Sequence, residues 1–444
     1  MAVLSLPEYG RISAISSDDA AEETEEGVAL RKRDFESLKK WSREWIPPGI
    51  HGNAPGLPAD SEKKTPFKLA HWRRREVLQA QNFVGVVRLP SGDCLEILPK
   101  ITKKLYEGKE RSRKILLRML RMIYEADSKE FKDAALSTGR MPLLEIFIRR
   151  FLDEVGSLIR RGIRSDYTPV EDNIPCLRGR LLLPQHIRHN AIHRERFYVR
   201  YDAYLPDRPE NRLIKTALQR VHIVSRDSEN MRRCKIYQDT FEEIPASVNV
   251  RADFALLSND RNVSHYQASL FWSRLILQGE SPVPTPGELR CSAILWPMEE
   301  LFEQYVARII RRILSPQGWT VTEQAAAEHL VDEHGGSKSY LLKPDFLLEK
   351  GENRVIADTK WKNIDGQDKK SVNQADLYQL FAYSEKYLRK SGCNLQRSFL
   401  VYPKTDAFQS ALPAFHFYTN TAVLKAVPFD LENDTCELFT ELTA

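Results

Sequence analysis

The stretch KPDFLLEKGENRVIADTKWK, residues 343–362, decides how the C-terminal part of this chain folds. It contains two short β-prone runs, at 346–348 and at 355–356, in which apolar and β-branched residues dominate. Between them, residues 350–353 read Lys-Gly-Glu-Asn, a composition typical of a tight turn. The pattern therefore predicts a β-hairpin.

Three ionisable side chains of this hairpin are expected to converge. Successive side chains of a strand point to opposite faces, so Asp358 and Lys360 share one face, as do Asp345 and Leu347 on the preceding strand. Hard Mg²⁺ prefers carboxylate and carbonyl oxygens and keeps several waters. We expect Asp345 and Asp358 to bind Mg²⁺, with Mn²⁺ as the alternative ion, and Lys360 to hold the attacking water. A solvated hairpin with surface charges is the alternative interpretation.

This set of residues has the arrangement of the PD-(D/E)xK nuclease core, here Pro344-Asp345 and Asp358-Thr359-Lys360. Because four fixed letters occur often by chance, the sequence on either side has to support the interpretation. In that core, the hairpin lies between two helices, and a buried strand follows the second helix.

Upstream, Trp296-Pro297 is predicted to open an amphipathic helix. Its apolar residues recur at helical spacing: Leu301, Phe302, Tyr305, Val306, Ile309, Ile310 and Ile313. Glu299 and Glu303 border this apolar stripe, and either one is placed to add an oxygen to the site. Glu303 is our choice, and a surface pair with Arg or Lys is the alternative for each glutamate.

Downstream, Asp376, Gln379 and Tyr383 fall on one face of a second predicted helix, and residues 397–403 have the pattern of a buried strand. Gln379 is therefore included among the expected catalytic residues. The order helix, hairpin, helix, strand matches the nuclease core.

Composition sets the outer bounds. With 444 residues and 42% hydrophobic content, the chain is long enough for two or three domains. A net charge of +5 excludes a polycation, so contacts with nucleic acid must come from local clusters. The six cysteines form no metal-binding spacing, which makes zinc unexpected and favours reduced thiols. Neither a long apolar run nor a leader is present, so we expect a cytoplasmic protein without a membrane span.

The regions before the predicted nuclease core form two further units. Residues 1–108 contain a strand at 9–15, an acidic segment at 16–26 that we expect to be a mobile loop, a helix around Phe35, Leu38 and Trp41, and a hairpin at 83–98. We predict a small N-terminal α+β domain that docks a partner NTPase. Residues 109–280 are predicted to be mainly helical, with helices at 115–124, 143–163 and 210–224.

A Pro-spaced linker at 279–287 separates these regions from residues 288–444, the predicted PD-(D/E)xK endonuclease domain with a mixed sheet flanked by helices. The chain as a whole is thus predicted to be a multidomain protein of the α+β or α/β class. No GxxxxGK[ST] phosphate loop occurs, so we do not expect the chain to hydrolyse a nucleotide.

One segment of the middle region is strongly basic. Its candidate nucleic-acid or partner surface consists of Arg178, Arg180, Arg188, Arg194 and Arg196. Such residues are able to track phosphates. A solvated basic face and a surface for a partner protein are the alternatives. His186, His189 and His193 are expected to share a helix face there, but no carboxylate or cysteine joins them to make a metal site.

Over most of its length the chain resembles the McrC family, the nuclease subunits of McrBC modification-dependent restriction systems. The resemblance is carried by residues 84–100, 177–181, 201–213 and 301–303, by Asp345, Asp358 and Lys360, and by residues 376–379. It implies a partner AAA+ GTPase that resembles McrB and assembles as hexameric rings. It also implies that this chain docks on the ring through its N-terminal half, stimulates GTP hydrolysis by the partner and cuts DNA.

The resemblance further implies that GTP binding and methyl-cytosine recognition belong to the partner. A different class of function is the alternative: an adaptor that activates an NTPase ring while its own nuclease fold is inactive. The presence of Asp345, Asp358 and Lys360 favours the endonuclease, because an adaptor needs none of them.

Overall fold

Two sheets at the N-terminus pack around one helix in the computed structural model of the protein, which describes residues 2–15, 20–24, 26–45, 65–101, 108–124, 141–257, 261–278, 291–368, 371–388, 396–417 and 422–443. The elements are β1 Val3–Pro7, β2 Arg11–Ile15, β3 Glu22–Thr24, β4 Gly27–Arg31, α1 Lys32–Glu44, β5 Phe67–Trp72, β6 Arg75–Ala80, β7 Phe83–Arg88 and β8 Cys94–Leu98. Strands β3-β4-β2-β6-β5 form a five-stranded sheet, and β1-β8-β7 belong to a four-stranded one.

The helix and the hairpin predicted for this region are confirmed. The apolar side of α1 buries Phe35, Leu38 and Trp41, and β7 pairs antiparallel with β8. The acidic segment 16–26 differs from the expected loop, because residues 22–24 form β3 and pair with β4. Residues 16–19 and 25 of that segment lie outside the described residues.

The middle region combines helices with a sheet that was not predicted. Its helices are α2 Lys109–Tyr124, α3 Leu143–Arg161, α4 Leu183–Asn190, α5 Pro209–Val224, α6 Ser228–Thr240, α7 Val250–Ala255 and α8 Gln267–Gln278, with a 3₁₀-helix at Arg261–Tyr266. The strands β9 Asp166–Ile174, β10 Arg180–Leu181 and β11 Phe197–Leu205 form a three-stranded sheet in the order β10-β11-β9. The three predicted helices are confirmed as α2, α3 and α5.

The C-terminal region is built on a seven-stranded mixed sheet. Its elements are β12 Ser292–Pro297, α9 Met298–Leu314, β13 Thr320–Glu323, β14 Glu328–His334, β15 Ser337–Leu342, β16 Phe346–Lys350, β17 Asn353–Thr359, α10 Gln374–Tyr383, β18 Gln396–Pro403, β19 Phe415–His416, β20 Ala422–Asp430, β21 Thr435–Cys436 and α11 Glu437–Thr443. A 3₁₀-helix, Ser315–Gln317, and a π-helix, Ser384–Leu388, complete the list.

The sheet order is β13-β16-β17-β18-β20-β19, with β21 beside β20. The pairs β17/β18 and β18/β20 are parallel, whereas β16 and β17 form the antiparallel hairpin predicted from residues 343–362. The predicted strand at 397–403 is confirmed as β18. Strands β14 and β15 pair only with each other among the described residues.

Strand β12 corrects the expected start of the upstream helix. Trp296 lies in β12, and α9 begins at Met298 with Pro297 as its N-cap residue. Strand β12 pairs antiparallel with β7 of the N-terminal region, so the chain beyond the linker completes the N-terminal four-stranded sheet. Gly85 permits this pairing, since a Cβ atom there would lie 2.1 Å from the Ile294 carbonyl oxygen. The linker at 279–287 lies outside the described residues, and the three predicted domain boundaries stay predictions.

Candidate active site

The register of the β16–β17 hairpin brings the two predicted metal ligands together. Phe346 is paired with Ala357, so the next position along the ladder sets Asp345 opposite Asp358. Directly opposed residues of an antiparallel pair have Cβ atoms about 5 Å apart. Asp358 is 2% exposed. Two carboxylates therefore share one end of a buried hairpin.

Thr359 fixes the orientation of Asp345. Its backbone N–H and its hydroxyl both donate to Asp345 Oδ2, each at 2.7 Å. Burial raises the pKa of Asp345 above its ordinary value, although these two hydrogen bonds oppose the shift. Within the described residues no hydrogen bond is made to Asp345 Oδ1, so this oxygen is available to a ligand.

Lys360 lies on the same side of the chain as Asp358, as strand alternation predicted. Its Nζ is 2.5 Å from Asp358 Oδ2, and its backbone N–H donates to the Val401 carbonyl at 2.9 Å, which ties it to β18. Burial lowers the pKa of Lys360, but the carboxylates of Asp358 and Asp345 outweigh burial and raise this pKa above its ordinary value. The ammonium is therefore charged at neutral pH.

Glu303 of α9 is the third acid of the cluster. Burial and then the negative charge of Asp345 raise its pKa to about 7, even though the Gln324 side-chain amide donates a hydrogen bond to Glu303 Oε1. Burial and Asp345 likewise raise the pKa of Asp358 to about 7. The charges of Glu303, Asp345 and Asp358 thus act on one another in a desolvated site.

Glu299, the other candidate on α9, faces a different neighbour. Burial raises the pKa values of Glu8 and Tyr9 in the N-terminal region, and the charge of Glu299 adds to both shifts. One turn of the helix therefore separates a glutamate near the N-terminal sheet from Glu303 near the hairpin. Helical spacing placed Glu299 and Glu303 on the border of the apolar stripe of α9. The sequence alone did not show which of the two lies near the hairpin.

Helix α10 adds a charge pair that the sequence analysis did not assign to the site. Asp376 is 6% exposed and accepts two hydrogen bonds from Lys362 Nζ, at 2.8 and 3.0 Å. Its charge acts on both Asp358 and Lys360. Lys362 follows Lys360 at the strand spacing of two, and this spacing is the signal that identifies it in the sequence.

Gln379 lies on α10 beside this group but is exposed. Its side-chain amide donates to the Tyr383 hydroxyl at 2.8 Å, and that hydroxyl donates to the Lys343 carbonyl at 3.2 Å. The structure thus places Gln379 in contact with Tyr383, whose pKa is raised by burial and then by the charge of Asp358. The catalytic role predicted for Gln379 stays a prediction.

The donor set suits a magnesium ion held partly by water. In the described ranges, no group of three or more His, Cys, Asp or Glu side chains forms a preformed metal cage. Mg²⁺ usually binds through one or two carboxylates and retains several waters. Asp345 and Asp358 supply two carboxylates, and their repulsion with Glu303 is of the kind that a divalent cation relieves. The residues present therefore fit the ion.

The five arginines of the basic segment are exposed and lie on or beside the three-stranded sheet β10-β11-β9 and α4. The Arg178 guanidinium lies 4.7 Å from the centre of the Tyr201 ring, and the Arg196 guanidinium donates to the Asn173 carbonyl. No strand of this sheet pairs with the sheet of the carboxylates within the described chain. Large exposed side chains accompany the arginines: Tyr167, Leu177, Leu183, Ile187, Ile192 and Tyr204.

The three histidines of this segment do not share one helix face, contrary to expectation. Helix α4 ends at Asn190, so His193 lies beyond it and contacts Glu195. His186 Nδ1 is 3.0 Å from the Asn190 amide, and His189 stacks on Tyr198.

Comparison with known proteins identifies the family. The family model described as McrBC 5-methylcytosine restriction system component matches residues 78–403, well over half of the chain. This chain belongs to the McrBC family. The resemblance found in the sequence is confirmed. The matched range contains both the β16–β17 hairpin and the three-stranded sheet β10-β11-β9.

A curated McrBC relative supports the assignment. The Type IV methyl-directed restriction enzyme EcoKMcrBC of Escherichia coli (strain K12) is 21% identical over 258 residues, which cover 56% of this chain and 73% of the relative.

A solved structure shares the fold. It is a chain in the refined half-complex from the tetradecameric assembly of Thermococcus gammatolerans McrB AAA+ hexamers with bound McrC. The TM-score is 0.64 at 17% identity, with 96% of this chain and 94% of that chain covered. In the described part of this McrBC family member, no helix has the length and apolar character that a bilayer crossing requires.

Proposed function

We propose that this chain is the Mg²⁺-dependent DNA endonuclease subunit of a GTP-dependent, modification-dependent restriction complex. The observation that carries the proposal is the acidic group at the end of the β16–β17 hairpin, where burial and the charges of Asp345 and Asp358 raise the pKa of Glu303 and where Lys360 Nζ lies 2.5 Å from Asp358 Oδ2. Buried like charges destabilise a fold, so their presence in a desolvated cluster is typical of a catalytic site.

The order of elements supports a PD-(D/E)xK core. Helix α9, the hairpin β16–β17, helix α10 and strand β18 follow one another, and β18 pairs in parallel with β17. The two acids and the lysine of the motif, Asp345, Asp358 and Lys360, lie at the same end of the hairpin, beside the C-terminal end of β17.

Each side chain has a role in phosphodiester hydrolysis. Asp345 and Asp358 would hold the ion, and bound Mg²⁺, or Mn²⁺ as the alternative, supplies positive charge that offsets the charge of the phosphodiester under attack. Thr359 keeps Asp345 in one orientation through its two hydrogen bonds. Lys360, a charged donor next to Asp358, orients the attacking water, and Glu303 adds a carboxylate oxygen that accepts a proton from it.

We further propose that the chain docks on a ring of an AAA+ GTPase resembling McrB and stimulates its GTP hydrolysis. The structural relative comes from an assembly of McrB AAA+ hexamers with bound McrC. The sequence of this chain has no phosphate loop, so GTP would be bound by the partner. The exposed arginines and apolar side chains around β9, β10 and β11 suit a protein interface, because Arg and aromatic residues are enriched there.

The test is reconstitution of the chain with an AAA+ GTPase resembling McrB on DNA with and without 5-methylcytosine, with GTP and Mg²⁺. We expect cleavage that requires GTP, the divalent ion and the modification. Asp358→Asn should abolish cleavage, whereas Glu352→Gln, which removes an exposed carboxylate from the turn of the same hairpin, should not.

The same assay tests the adaptor alternative. If the chain raises GTP turnover but never cuts DNA with any divalent ion, the endonuclease proposal fails and the chain is an activator of the ring.

A further inference from the structure

The β5–β6 hairpin of the N-terminal five-stranded sheet has an unusual turn. Trp72 is paired with Arg75, so Arg73 and Arg74 form a two-residue connection. Both have positive φ, 48° for Arg73 and 64° for Arg74. Positive φ at both central residues defines a type I′ turn, in which Asn and Gly are strongly preferred.

Two arginines are a poor choice for this turn. Residues with a Cβ atom lose stability in the left-handed region, and Asn-Gly would avoid most of that loss. Backbone conformations that cost stability often mark a functional position. Turn geometry therefore does not account for arginine at these two positions.

The face beside the turn is basic and aromatic. Cross-strand neighbours share a face, so Arg75 lies beside Trp72, and Arg11 and Lys68, which both flank Gln79, lie on that same face. The Arg11 guanidinium is 3.4 Å from the centre of the Trp72 ring. This cation–π contact holds the ring in place while 37% of Trp72 stays exposed.

The hairpin presents its charge at an open edge. Residues 67–75 contain four cations and no acid, and β5 is the last strand of its sheet within the described chain. The ion pair at the tip joins Arg73 Nη1 to Glu26 Oε1 at 2.6 Å, with side chains 71% and 52% exposed. Such an exposed pair contributes little free energy, so a phosphate can replace Glu26.

We propose that the β5–β6 hairpin is a binding site for duplex DNA, with Arg73 and Arg74 on phosphates and Trp72 supporting the basic face. A two-stranded β-ribbon fits the major groove, and arginine is a common phosphate contact. Contacts to phosphates make the site independent of sequence. The inference rests on the proposed function in one respect: the bound DNA is the substrate of the site at Asp345 and Asp358.

The turn itself supplies the decisive variant, Arg73→Asn with Arg74→Gly. This pair suits a type I′ turn and removes both charges, so it should raise the melting temperature of the full chain. Binding to a labelled duplex is measured by fluorescence anisotropy at several salt concentrations, without Mg²⁺ and without the partner. We expect affinity to fall about tenfold and the slope of log K against log salt to shrink by about 2.

Two controls separate charge from shape and location. Arg73→Lys with Arg74→Lys keeps both charges and should keep the salt slope of the wild type. Arg232→Ala with Lys235→Ala removes two exposed cations from α6, so it lowers the net charge equally. This second control should bind as the wild type does.

Several results would overturn the inference: no duplex binding by the wild type, unchanged affinity and slope in the Asn-Gly variant, or an equal loss in the α6 control. Stronger binding to single-stranded DNA, lost in Trp72→Ala, would assign the hairpin to a different ligand. Because binding is measured without metal or partner, a chain that binds through this hairpin but never cuts DNA would contradict only the proposed endonuclease.

Discussion

The hairpin β16–β17 and the three-stranded sheet β10-β11-β9 both concentrate charge, but their charges have different surroundings. On the hairpin, Asp358 is buried and its pKa is raised to about 7, first by burial and then by Asp345. On and beside the sheet, the five arginines are exposed to water. The comparison teaches that burial, rather than the number of charges, separates the proposed reaction centre from the candidate interaction surface.

The largest expected effect comes from removing either acid of the β16–β17 hairpin. Asp345→Ala and Asp358→Ala should each reduce cleavage about a thousandfold or more, because each removes a proposed ligand of the metal ion. Folding should be retained, since relief of the repulsion among the acids offsets the hydrogen bonds from Thr359 that Asp345→Ala removes. The measurement is plasmid cleavage by the complex with partner, GTP and Mg²⁺, beside circular dichroism. Full cleavage by both variants would refute the catalytic assignment.

Lys360 should give the next largest effect. Lys360→Ala removes the ammonium that lies 2.5 Å from Asp358 Oδ2 and should slow cleavage about a hundredfold, in the range for loss of a proton-transfer or water-orienting group. Affinity for the metal should stay close to that of the wild type, because Asp345 and Asp358 remain. Calorimetry that shows metal binding lost together with activity would instead make Lys360 a support of the site.

Substitutions of the exposed arginines on and beside the three-stranded sheet should change docking on the partner rather than metal binding. Replacing Arg188, Arg194 and Arg196 by Ala should weaken docking on the GTPase ring about tenfold, a loss of roughly 1.4 kcal/mol, because the arginines are exposed. Metal affinity should not change. Stimulated GTP turnover as a function of chain concentration gives the docking affinity, and Asp358→Ala should match the wild type in this assay. If the arginine variant docks normally, the partner surface lies elsewhere.

Point substitutions separate docking on the ring from DNA cleavage better than truncation at the linker does. A fragment that ends near Gly279 would lack β12, which completes the N-terminal four-stranded sheet by pairing with β7. Loss of function in such a fragment would therefore report a damaged sheet as well as a missing site.

Local periodicity explains which parts of the structure could be predicted. The hairpin follows from two β-prone runs around Gly351, and alternation along β17 placed Asp358 and Lys360 on one side. Helical spacing likewise gave the apolar face of α9 and a position for Glu303 on its border. These relations span only a few residues, so the sequence contains them directly.

Contacts between distant segments could not be predicted in this way. The pairing of β12 with β7 joins segments about two hundred residues apart, and nothing in the local pattern around Trp296 distinguishes a strand end from a helix start. The three-stranded sheet was missed because β9 and β11 are largely exposed and carry charged residues that obscure their alternation. In both cases tertiary pairing, rather than local preference, decides the structure.

Glu8 extends the comparison to a buried acid outside the proposed catalytic group. It is 1% exposed, and its Oε2 accepts hydrogen bonds from the Trp361 indole N–H at 2.9 Å and from the Lys100 backbone N–H at 3.1 Å. Trp361 directly follows Lys360, so Glu8 connects the N-terminal sheet to the site. Burial raises the pKa of Glu8 to about 8, although both hydrogen bonds oppose the shift.

If burial is what raises the pKa of these acids, Glu8 should make the stability of the chain depend on pH. Between its ordinary pKa of 4.5 and about 8, Glu8 is protonated in the folded chain and ionised in the unfolded chain. The folded state then binds the extra proton, so the free energy of unfolding falls as pH rises through this window, by roughly 1.4 kcal/mol for each unit of pKa difference at most.

Glu8→Gln keeps an oxygen that accepts from Trp361 but has no proton to lose. Its melting temperature should therefore be close to that of the wild type at acidic pH and should exceed it by a few degrees above pH 8. Glu36→Gln, which removes an exposed carboxylate from α1, should follow the wild type across the range. A difference between Glu8→Gln and the wild type that stays constant with pH would mean that Glu8 is ionised in the folded chain, and burial alone would then not distinguish the acids of the active site.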